Sequence, residues 1–409
     1  MLGNILYISY DGMTDPLGQS QVLPYLVGLS AQGYKITLLS CEKTERWHHK
    51  ETVQAICTKH HINWQPIMYT RKPPILSTIK DVKRLKKVAA ALHQKIGFDL
   101  VHCRSYISAL IGQWMKKKYQ LPFIFDMRGF WADERVDGGL WDLKSPLYKK
   151  VYQYFKRKET QFLEQSEAII SLTYAAKDEI EKWSVQHAPI TVIPCCVDLE
   201  SFDPEALKGD QSAALRRKAD LPVNKLIIGY VGSLGTWYLL DEMLQFFNCW
   251  LKQHPDSLLF FVTNEPKDFI FQAVQRQRID AEKIRIIAGN RNEMPYYISM
   301  MDLGLFFIKN AYSKKASSPV KQGELMAMGV PVICNAGVGD SDFIINKYHS
   351  GELVHNFEQE AFDDAIRRIK TEMNHPAEIR KGAEDYFDLQ KGIDAYAAVY
   401  QSIITIPQT

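Results

Sequence analysis

A lysine and a glutamate three residues apart mark the segment whose chemistry is easiest to interpret. The run that starts at Ser317 is SSPVKQGELMAMGVPV, in which Lys321 and Glu324 are the charged residues. Its pattern predicts a helix from about Val320 to Met328, whose first amide groups and positive dipole end favour a phosphate. Lys321 adds a cation at that end, and the Glu324 carboxylate offers acceptor oxygens to a ribose diol. The segment therefore predicts a nucleoside diphosphate site.

Strand-like and helical runs alternate through both halves of the chain, which predicts parallel sheets with helices on both faces. The strand-like runs are Asn4–Ser9, Lys35–Ser40, Leu100–Cys103, Phe123–Asp126, Ala168–Ser171, Ile190–Ile193, Lys225–Tyr230, Ser257–Val262, Ile284–Ala288, Leu303–Ile308 and Val332–Cys334. A chain of 409 residues is long enough for two domains. We expect a first domain over 1–194, a linker over 195–222, a second domain over 223–385 and a closing helix within 386–409.

The run around Lys321 resembles the donor-binding motif of glycosyltransferase family 4, the group 1 glycosyltransferases. Members often carry two glutamates here; Glu324 matches the second, and Ala316 stands where the first would be. The chain instead fits a branch with the pattern SPxKxxE. The resemblance implies the GT-B fold, with two Rossmann-like doubly wound parallel-sheet domains facing a cleft. It also implies that the final helix returns to the first domain.

The resemblance implies which residues lie against the donor. Gly18 follows the first strand, where glycine lets the backbone approach a ligand. Ser233 replaces an arginine that many members place on the diphosphate, so the phosphates would depend more on Lys321. The residues predicted to contact the donor are Gly18, Gln19, Gly232, Ser233, Arg291, Met294, Ser318, Lys321 and Glu324.

Three polar residues at predicted strand ends of the first domain are candidates for work on the acceptor. His102 matches a histidine that relatives often carry, and Arg128 stands where relatives often have a histidine near the sugar. Asp126 could accept a hydrogen bond from an acceptor hydroxyl, and Arg128 could hold an anionic or hydroxylated acceptor. Alternatively, His102 is a core histidine, and Asp126 and Arg128 pair with each other. The catalytic candidates are thus Lys321, Glu324, Asp126, Arg128 and His102.

The sequence predicts no metal or other cofactor besides the donor substrate. Asp340-Ser341-Asp342 has the Asp-x-Asp pattern that binds a metal in GT-A glycosyltransferases. Here the pattern precedes an apolar helix start, so we expect Asp340 to cap that helix.

Charge is distributed unevenly along the chain. Residues 1–194 hold 27 Lys and Arg against 18 Asp and Glu, a net charge of +9, whereas residues 195–409 hold 23 against 29, a net charge of −6. A basic half suggests an anionic partner. We expect an anionic membrane surface against the first domain, with Trp114 and Tyr119 beside Lys116–Lys118, and no nucleic acid.

Hydropathy and cysteine usage bear on location. The chain has no run of about 18 apolar residues and opens directly into a strand-like segment, so we expect neither a membrane span nor a signal peptide. Its seven cysteines show no C-x-x-C spacing and are expected to be buried thiols in a reducing compartment. We therefore expect a cytoplasmic protein that can bind the inner face of the membrane.

Together the residues and the resemblance predict a retaining, metal-independent glycosyltransferase. It would move a sugar from a nucleotide-diphosphate sugar to a saccharide or lipid-linked acceptor, in the synthesis of cell-surface polysaccharide or glycolipid. Retention of anomeric configuration is implied by the resemblance alone. Three alternatives fit parts of the same pattern: a GT-B nucleotide-sugar epimerase, a non-catalytic GT-B scaffold, and a nucleic-acid-binding protein that uses the basic half.

Overall fold

The computed structural model contains two parallel β-sheets, each in its own unit of the chain. It describes residues 2–372 and 375–404. The first unit contains the chain up to Pro194 together with the chain from Leu389 onward, and the second unit contains Cys195–Asp388. The inner strands are almost wholly apolar and buried, as expected for sheets covered by helices on both faces. The prediction of two doubly wound α/β sheets is confirmed.

The sheet of the first unit has seven parallel strands in the order β3-β2-β1-β4-β5-β6-β7. These strands are β1 (Asn4–Ser9), β2 (Lys35–Glu42), β3 (Asn63–Met68), β4 (Leu100–Arg104), β5 (Phe123–Asp126), β6 (Ala168–Ser171) and β7 (Ile190–Val192). The helices between them are α1 (Pro16–Gln21), α2 (Leu23–Ala31), α3 (Lys50–Lys59), α4 (Leu76–Ile96), α5 (Ser105–Tyr119), α6 (Trp131–Asp137), α7 (Pro146–Gln165) and α8 (Tyr174–Glu181).

The sheet of the second unit has six parallel strands in the order β10-β9-β8-β11-β12-β13. These strands are β8 (Ile227–Val231), β9 (Leu258–Val262), β10 (Ile284–Ile287), β11 (Leu303–Phe306), β12 (Val332–Asn335) and β13 (Gly351–Val354). The helices are α9 (Gly209–Lys218), α10 (Leu240–Gln253), α11 (Lys267–Arg276), α12 (Met294–Ile298), α13 (Val320–Ala327), α14 (Ser341–Tyr348), α15 (Gln359–Glu372) and α16 (Pro376–Tyr386). The chain then returns to the first unit as α17 (Leu389–Ile403).

Strand order reverses once in each sheet, and these two places are where ligands of doubly wound sheets bind. In the first unit β1 lies between β2 and β4, and in the second unit β8 lies between β9 and β11. Helices leave the two neighbouring strands towards opposite faces, which opens a crevice beyond the carboxyl ends of β1 and β4, and of β8 and β11. The segments that follow these four strands are therefore placed to contact a ligand.

Several elements differ from the sequence prediction. The first helix was expected over 20–32 but is divided into α1 and α2 at Val22, whose backbone is not helical (φ −130°, ψ −61°). Pro24 explains the division, because proline cannot donate the amide hydrogen that a continuous helix needs. The edge strand β3 was not predicted; it contains Pro66, which an edge strand tolerates. The edge strand β13 was also not predicted.

The segment 195–222, predicted as a linker, belongs to the packed core of the second unit. Val197, Phe202 and Leu215 are all buried there, and Val197 donates its amide hydrogen to the Phe387 carbonyl at 2.7 Å. The proline and glycine that suggested a linker mark a short 3-10 turn at Pro204–Ala206 and the start of α9. The segment is therefore an integral part of the second unit.

The closing helix α17 is held to the first unit by buried tyrosines. Tyr400 Oη lies 2.7 Å from His102 Nδ1, and the Tyr396 hydroxyl donates to Asp126 Oδ2 at 3.1 Å. Ile393 packs so closely on Gly28 of α2 that a Cβ there would lie 2.3 Å from its Cδ1. These contacts place α17 on the first unit. Residues 405–409, which the sequence prediction included in this closing segment, lie outside the described residues.

A tyrosine substitution tests this attachment. Tyr400→Phe removes the hydroxyl that faces His102 and leaves a buried ring nitrogen without a partner, so we expect the free energy of unfolding to fall by about 1–3 kcal/mol. Tyr154→Phe is the matched control, because Tyr154 is 41% exposed and its hydroxyl should contribute less than about 0.5 kcal/mol. Denaturant unfolding measures both variants. Equal effects of the two substitutions would contradict the described attachment of α17.

Candidate active site

The second unit brings Lys321 and Gly232 together at its strand-order reversal. Gly232 directly follows β8 and has a φ of +110°, a conformation that favours glycine. A Cβ built on it would lie 3.5 Å from Lys321 Nζ. Lys321 is in the first turn of α13, which begins at Val320 as predicted. The turn after β8 and the start of α13 thus form one surface.

Lys321 is a buried cation without a counter-charge at hydrogen-bonding distance. Its side chain is 7% exposed, and among the described residues Nζ has no hydrogen-bond partner. Nζ lies 3.8 Å from the ring centre of Tyr230 and 3.5 Å from that of Tyr238, so two aromatic faces stabilise the charge in part. Burial lowers the pKa of Lys321 well below its ordinary value, and the Glu324 carboxylate only partly opposes this shift. An anion bound here would raise the pKa again and favour the charged form.

Glu324, one turn further along α13, meets Arg291. Glu324 is 4% exposed, and its Oε1 forms an ion pair with Arg291 Nη1. The Arg291 guanidinium also lies over the ring of Phe202, 4.7 Å from its centre. Arg291 and Glu324, which were predicted from separate segments of the sequence, are therefore in contact. The Glu324 carboxylate is held ready in a fixed position, as an acceptor for ribose hydroxyls would need to be.

The other predicted donor contacts in this unit have different surroundings. Ser233 is exposed, and its carbonyl accepts a hydrogen bond from Tyr230 Oη at 2.5 Å. Ser318 accepts from the Cys195 amide at 3.1 Å, so its hydroxyl already has a structural partner. Met294 is 8% exposed and packs against Gly289, which makes it a core residue. Ser233 is therefore on the surface, whereas Ser318 and Met294 are engaged within the protein, and the donor contacts of all three stay predictions.

Gly18 and Gln19 lie inside α1, whereas the sequence predicted a turn before the first helix. A Cβ on Gly18 would lie 2.2 Å from the Gly12 carbonyl oxygen, so close packing of α1 on the preceding loop requires this glycine. The Gln19 amide donates to the Asp15 carbonyl at 3.1 Å, and its side chain donates to the Thr14 carbonyl at 3.4 Å. Both residues shape the loop after β1, and the Gln19 amide is engaged within it; their contact with the donor stays a prediction.

A carboxylate that the sequence prediction missed fixes that same loop. Glu42, at the end of β2, is fully buried. It accepts from the Met13 amide at 2.9 Å, from the Thr14 amide at 3.0 Å and from the Thr14 hydroxyl at 2.6 Å. The signal in the sequence was a glutamate at the end of an apolar strand, where a buried charge must find several donors.

His102 and Asp126 form a buried network instead of facing a ligand. Each is 1% exposed, and His102 Nε2 lies 3.2 Å from Asp126 Oδ2. Burial lowers the pKa of His102 although Asp126 opposes the shift. The neutral ring therefore donates from Nε2 to the carboxylate and accepts at Nδ1 from Tyr400. This arrangement corresponds to the alternative of a core histidine and supports a structural role for both residues.

Arg128 pairs with Asp126, as the alternative interpretation held. Arg128 Nη1 lies 3.9 Å from Asp126 Oδ1. Although burial opposes ionisation of Asp126, Arg128, His102 and Arg104 together lower its pKa. The backbone at Arg128 is left-handed (φ +55°), and such strain occurs often at ligand sites. Arg128 remains a candidate for the acceptor site, whereas Asp126 is enclosed behind it.

A second residue pair, not singled out from the sequence, occupies the strand-order reversal of the first unit. Arg104 ends β4 and is 4% exposed, and its Nη1 forms an ion pair with Asp11, which follows β1. Asp11 is 49% exposed. Arg104 Nε is buried without a hydrogen-bond partner among the described residues. Asp11 is thus an accessible carboxylate, oriented by a buried guanidinium, at the place where doubly wound sheets bind ligands.

The Asp-x-Asp pattern is engaged within the protein. Asp340 lies at the N-cap position of α14 without a side-chain cap, which corrects the expected role; its carboxylate accepts from the Tyr386 hydroxyl at 2.5 Å. Asp342 accepts from the Gly337 amide at 3.0 Å. Within the described ranges, no group of three or more His, Cys, Asp or Glu side chains is arranged to hold a metal ion.

Comparison with known proteins defines the class first through the fold. The sucrose-phosphate synthase of Thermosynechococcus elongatus superimposes with a TM-score of 0.69 over 98% of both chains at 16% identity. Anabaena HepE, solved in complex with UDP and glucose, superimposes with a TM-score of 0.67 over 96% of this chain and 98% of that chain at 13% identity. The fold is therefore GT-B, as predicted.

Sequence comparison then gives the family. The model of Glycosyltransferase Family 4 matches residues 21–201, and the model of Glycosyl transferases group 1 matches residues 211–386. A D-inositol 3-phosphate glycosyltransferase from Salinispora tropica is 21% identical over 318 residues, 74% of this chain. The chain covers 62% and 40% of the lengths of the two curated relatives that it matches. It belongs to family 4 of the glycosyltransferases.

Replacing the buried lysine tests its described state. Lys321→Met removes a buried charge that has no counter-ion, so we expect the ligand-free protein to become more stable by about 1–3 kcal/mol. Lys252→Met on α10 is the control, because Lys252 is exposed and the change should be close to neutral. Thermal unfolding of the ligand-free proteins measures both. A clear loss of stability in Lys321→Met alone would show that Nζ has a favourable partner in the ligand-free state.

Proposed function

We propose that this protein is a retaining, metal-independent glycosyltransferase that takes its sugar from a nucleotide-diphosphate sugar. The observation that carries the proposal is the buried Lys321 ammonium, held one helical turn from the fixed Glu324 carboxylate. The spacing suits a diphosphate and a ribose of one nucleotide. Family membership supports the activity, and the complex of HepE with UDP supports the class of donor.

Catalysis would use charge placed where the reaction develops it. As the bond between the anomeric carbon and the donor phosphate breaks, negative charge grows on the leaving oxygen. Lys321 and the first amides of α13 would stabilise that charge, and they need no reorganisation because they are already fixed. Glu324 would accept from the ribose hydroxyls, with Arg291 beside it. Binding energy from the nucleotide thereby positions the sugar.

The acceptor is proposed to lie at the first unit, against Asp11 and Arg128. The exposed Asp11 carboxylate can accept from an acceptor hydroxyl and orient it, a role that the burial of Asp126 does not allow. We propose a saccharide or lipid-linked acceptor and a place in cell-surface polysaccharide or glycolipid synthesis. The related enzymes named for D-inositol 3-phosphate are consistent with a hydroxylated acceptor that also carries a negative charge.

The alternatives fit the geometry less well. A non-catalytic scaffold that binds no nucleotide has no reason to keep Lys321 buried and unpaired, because such a charge lowers stability. An epimerase needs accessible acid–base groups near the sugar, whereas His102 and Asp126 are enclosed by α17.

The proposal is tested with a panel of UDP-, GDP-, ADP- and dTDP-sugars. We expect wild type to bind one nucleotide in calorimetry and to release it from the matching sugar, with EDTA leaving the rate unchanged. Glu324→Gln should lower kcat/KM by roughly 10- to 100-fold, because a charge-assisted bond to ribose is lost. NMR of the first-formed product should show the anomeric configuration of the donor.

Glu352→Gln is the matched control. Glu352 lies on β13, away from α13, and pairs with Arg368 of α15. It should leave turnover unchanged. If the protein binds a nucleotide but does not release it from the matching nucleotide sugar, the donor site is supported and the proposed catalytic activity is wrong. Failure of every nucleotide to bind would remove both.

A further inference from the structure

Three helices of the first unit carry an excess of positive charge. α4, α5 and α7 together contain fourteen Lys and Arg residues against three acidic residues, Asp81, Glu159 and Glu164. The basic residues are Lys80, Lys83, Arg84, Lys86, Lys87, Lys95, Lys116, Lys117, Lys118, Lys149, Lys150, Lys156, Arg157 and Lys158. No other group of neighbouring helices among the described residues has such an imbalance.

These helices lie side by side on one face of the sheet. Each connects strands that advance in the same direction across the sheet, and right-handed crossovers place such helices on a common face. Side chains join them: Lys86 Nζ lies 5.7 Å from the Trp114 ring centre, which links α4 to α5. Lys158 Nζ donates to Gln113 Oε1 at 2.7 Å, which links α7 to α5. We call the exposed sides of α4, α5 and α7 the basic face.

Ion pairs engage two of these basic residues: Lys116 pairs with Glu167, and Lys156 pairs with Asp133 and Glu159. Asp81 accepts from the Thr70 amide and hydroxyl at 2.9 and 2.7 Å. Glu159 is engaged by the Tyr106 hydroxyl and by Lys156. Both are turned into the protein.

The lysines of the basic face repel one another. Lys80, Lys83 and Lys87, on one side of α4, form no ion pair within the described residues. Partial burial, together with the charges of Lys117 and Lys86, lowers the pKa of Lys158. Like charges held this close are unfavourable in the isolated protein, and an anionic partner would remove that cost.

Exposed apolar side chains border the basic face at one edge. Leu76 is 64% and Ile79 is 47% exposed at the start of α4. In the segment before α7 the exposed fractions are 58% for Leu140 and 37% for Leu143, and in its first turn the exposed fraction of Leu147 is 57%. Helices that follow parallel strands begin at the carboxyl edge of the sheet, so both clusters lie towards the edge that carries Asp11. These leucines and the isoleucine, rather than the half-buried Trp114 and Tyr119, are the apolar residues available for contact.

We propose that the basic face docks on an anionic phospholipid bilayer, with Leu76, Ile79 and the leucines around the start of α7 inserted among the headgroups. Lysines over an anionic surface and aliphatic side chains at its boundary are the composition that interfacial binding requires. A nucleic acid would satisfy the lysines but has no use for exposed aliphatic residues, which cannot stack on bases as aromatic residues do. Docking this way presents the carboxyl edge of the sheet to an acceptor held in the membrane, a consequence that rests on the proposed function.

Vesicle flotation tests the proposal directly. Wild type should float with vesicles of phosphatidylglycerol and phosphatidylcholine, not with phosphatidylcholine alone, and less at high salt. Lys80→Gln, Lys83→Gln and Lys87→Gln combined should weaken binding by about 100-fold, at roughly fivefold per lysine. Leu140→Ser with Leu147→Ser should weaken it at constant charge. The control removes the same charge elsewhere, by Lys35→Gln on β2 combined with Lys50→Gln and Lys59→Gln on α3, which connects strands in the opposite direction, and should bind as wild type does.

The outcomes separate this inference from the proposed function. Nucleotide binding at the second unit should be the same in wild type and in both sets of variants. If wild type binds its nucleotide but ignores anionic vesicles, the docking surface is refuted and the glycosyltransferase proposal stands. Binding of a DNA duplex at a salt concentration where vesicles are ignored would assign the basic face to nucleic acid. If the control triple variant loses as much vesicle binding, the binding depends on net charge alone and the proposed docking surface is wrong.

Discussion

The candidate site of the second unit depends on one ammonium group, which the fold buries without placing a counter-charge at hydrogen-bonding distance. Lys321 lies between two tyrosine rings at the start of α13, next to the turn that contains Gly232. A buried charge of this kind lowers stability. Under the proposed function, a bound diphosphate would offset that cost.

Buried or arginine-paired carboxylates fix the surroundings of both strand-order reversals. Glu42 is buried but saturated by donors from the loop after β1, and it therefore makes that loop rigid. Asp126 is buried and joined to His102 and to Tyr396 of α17, and it therefore ties the end of the chain to the first unit. Glu324 and Asp11 are each held by one arginine, which fixes the positions of both carboxylates.

Local patterns were enough to predict part of this arrangement. The alternation of apolar runs predicted both sheets, and the pattern around Lys321 predicted where α13 begins and that it carries both Lys321 and Glu324. What could not be predicted depends on contacts between distant segments. Nothing near Asp126 shows that Tyr396, 270 positions away, will cover it. Likewise, the packing of Gly18 against Gly12 looks in the sequence like a glycine turn, and only the position of α1 distinguishes the two.

The most direct measurement is the ionisation of the Lys321 side chain itself. In protein labelled with 13C-lysine, the Cε resonance of Lys321 can be assigned by its absence in Lys321→Met and followed against pH, with and without the cognate nucleoside diphosphate. The account predicts a pKa below that of an ordinary lysine in the ligand-free protein and a clear rise on saturation. An ordinary pKa that does not respond to the nucleotide would contradict it.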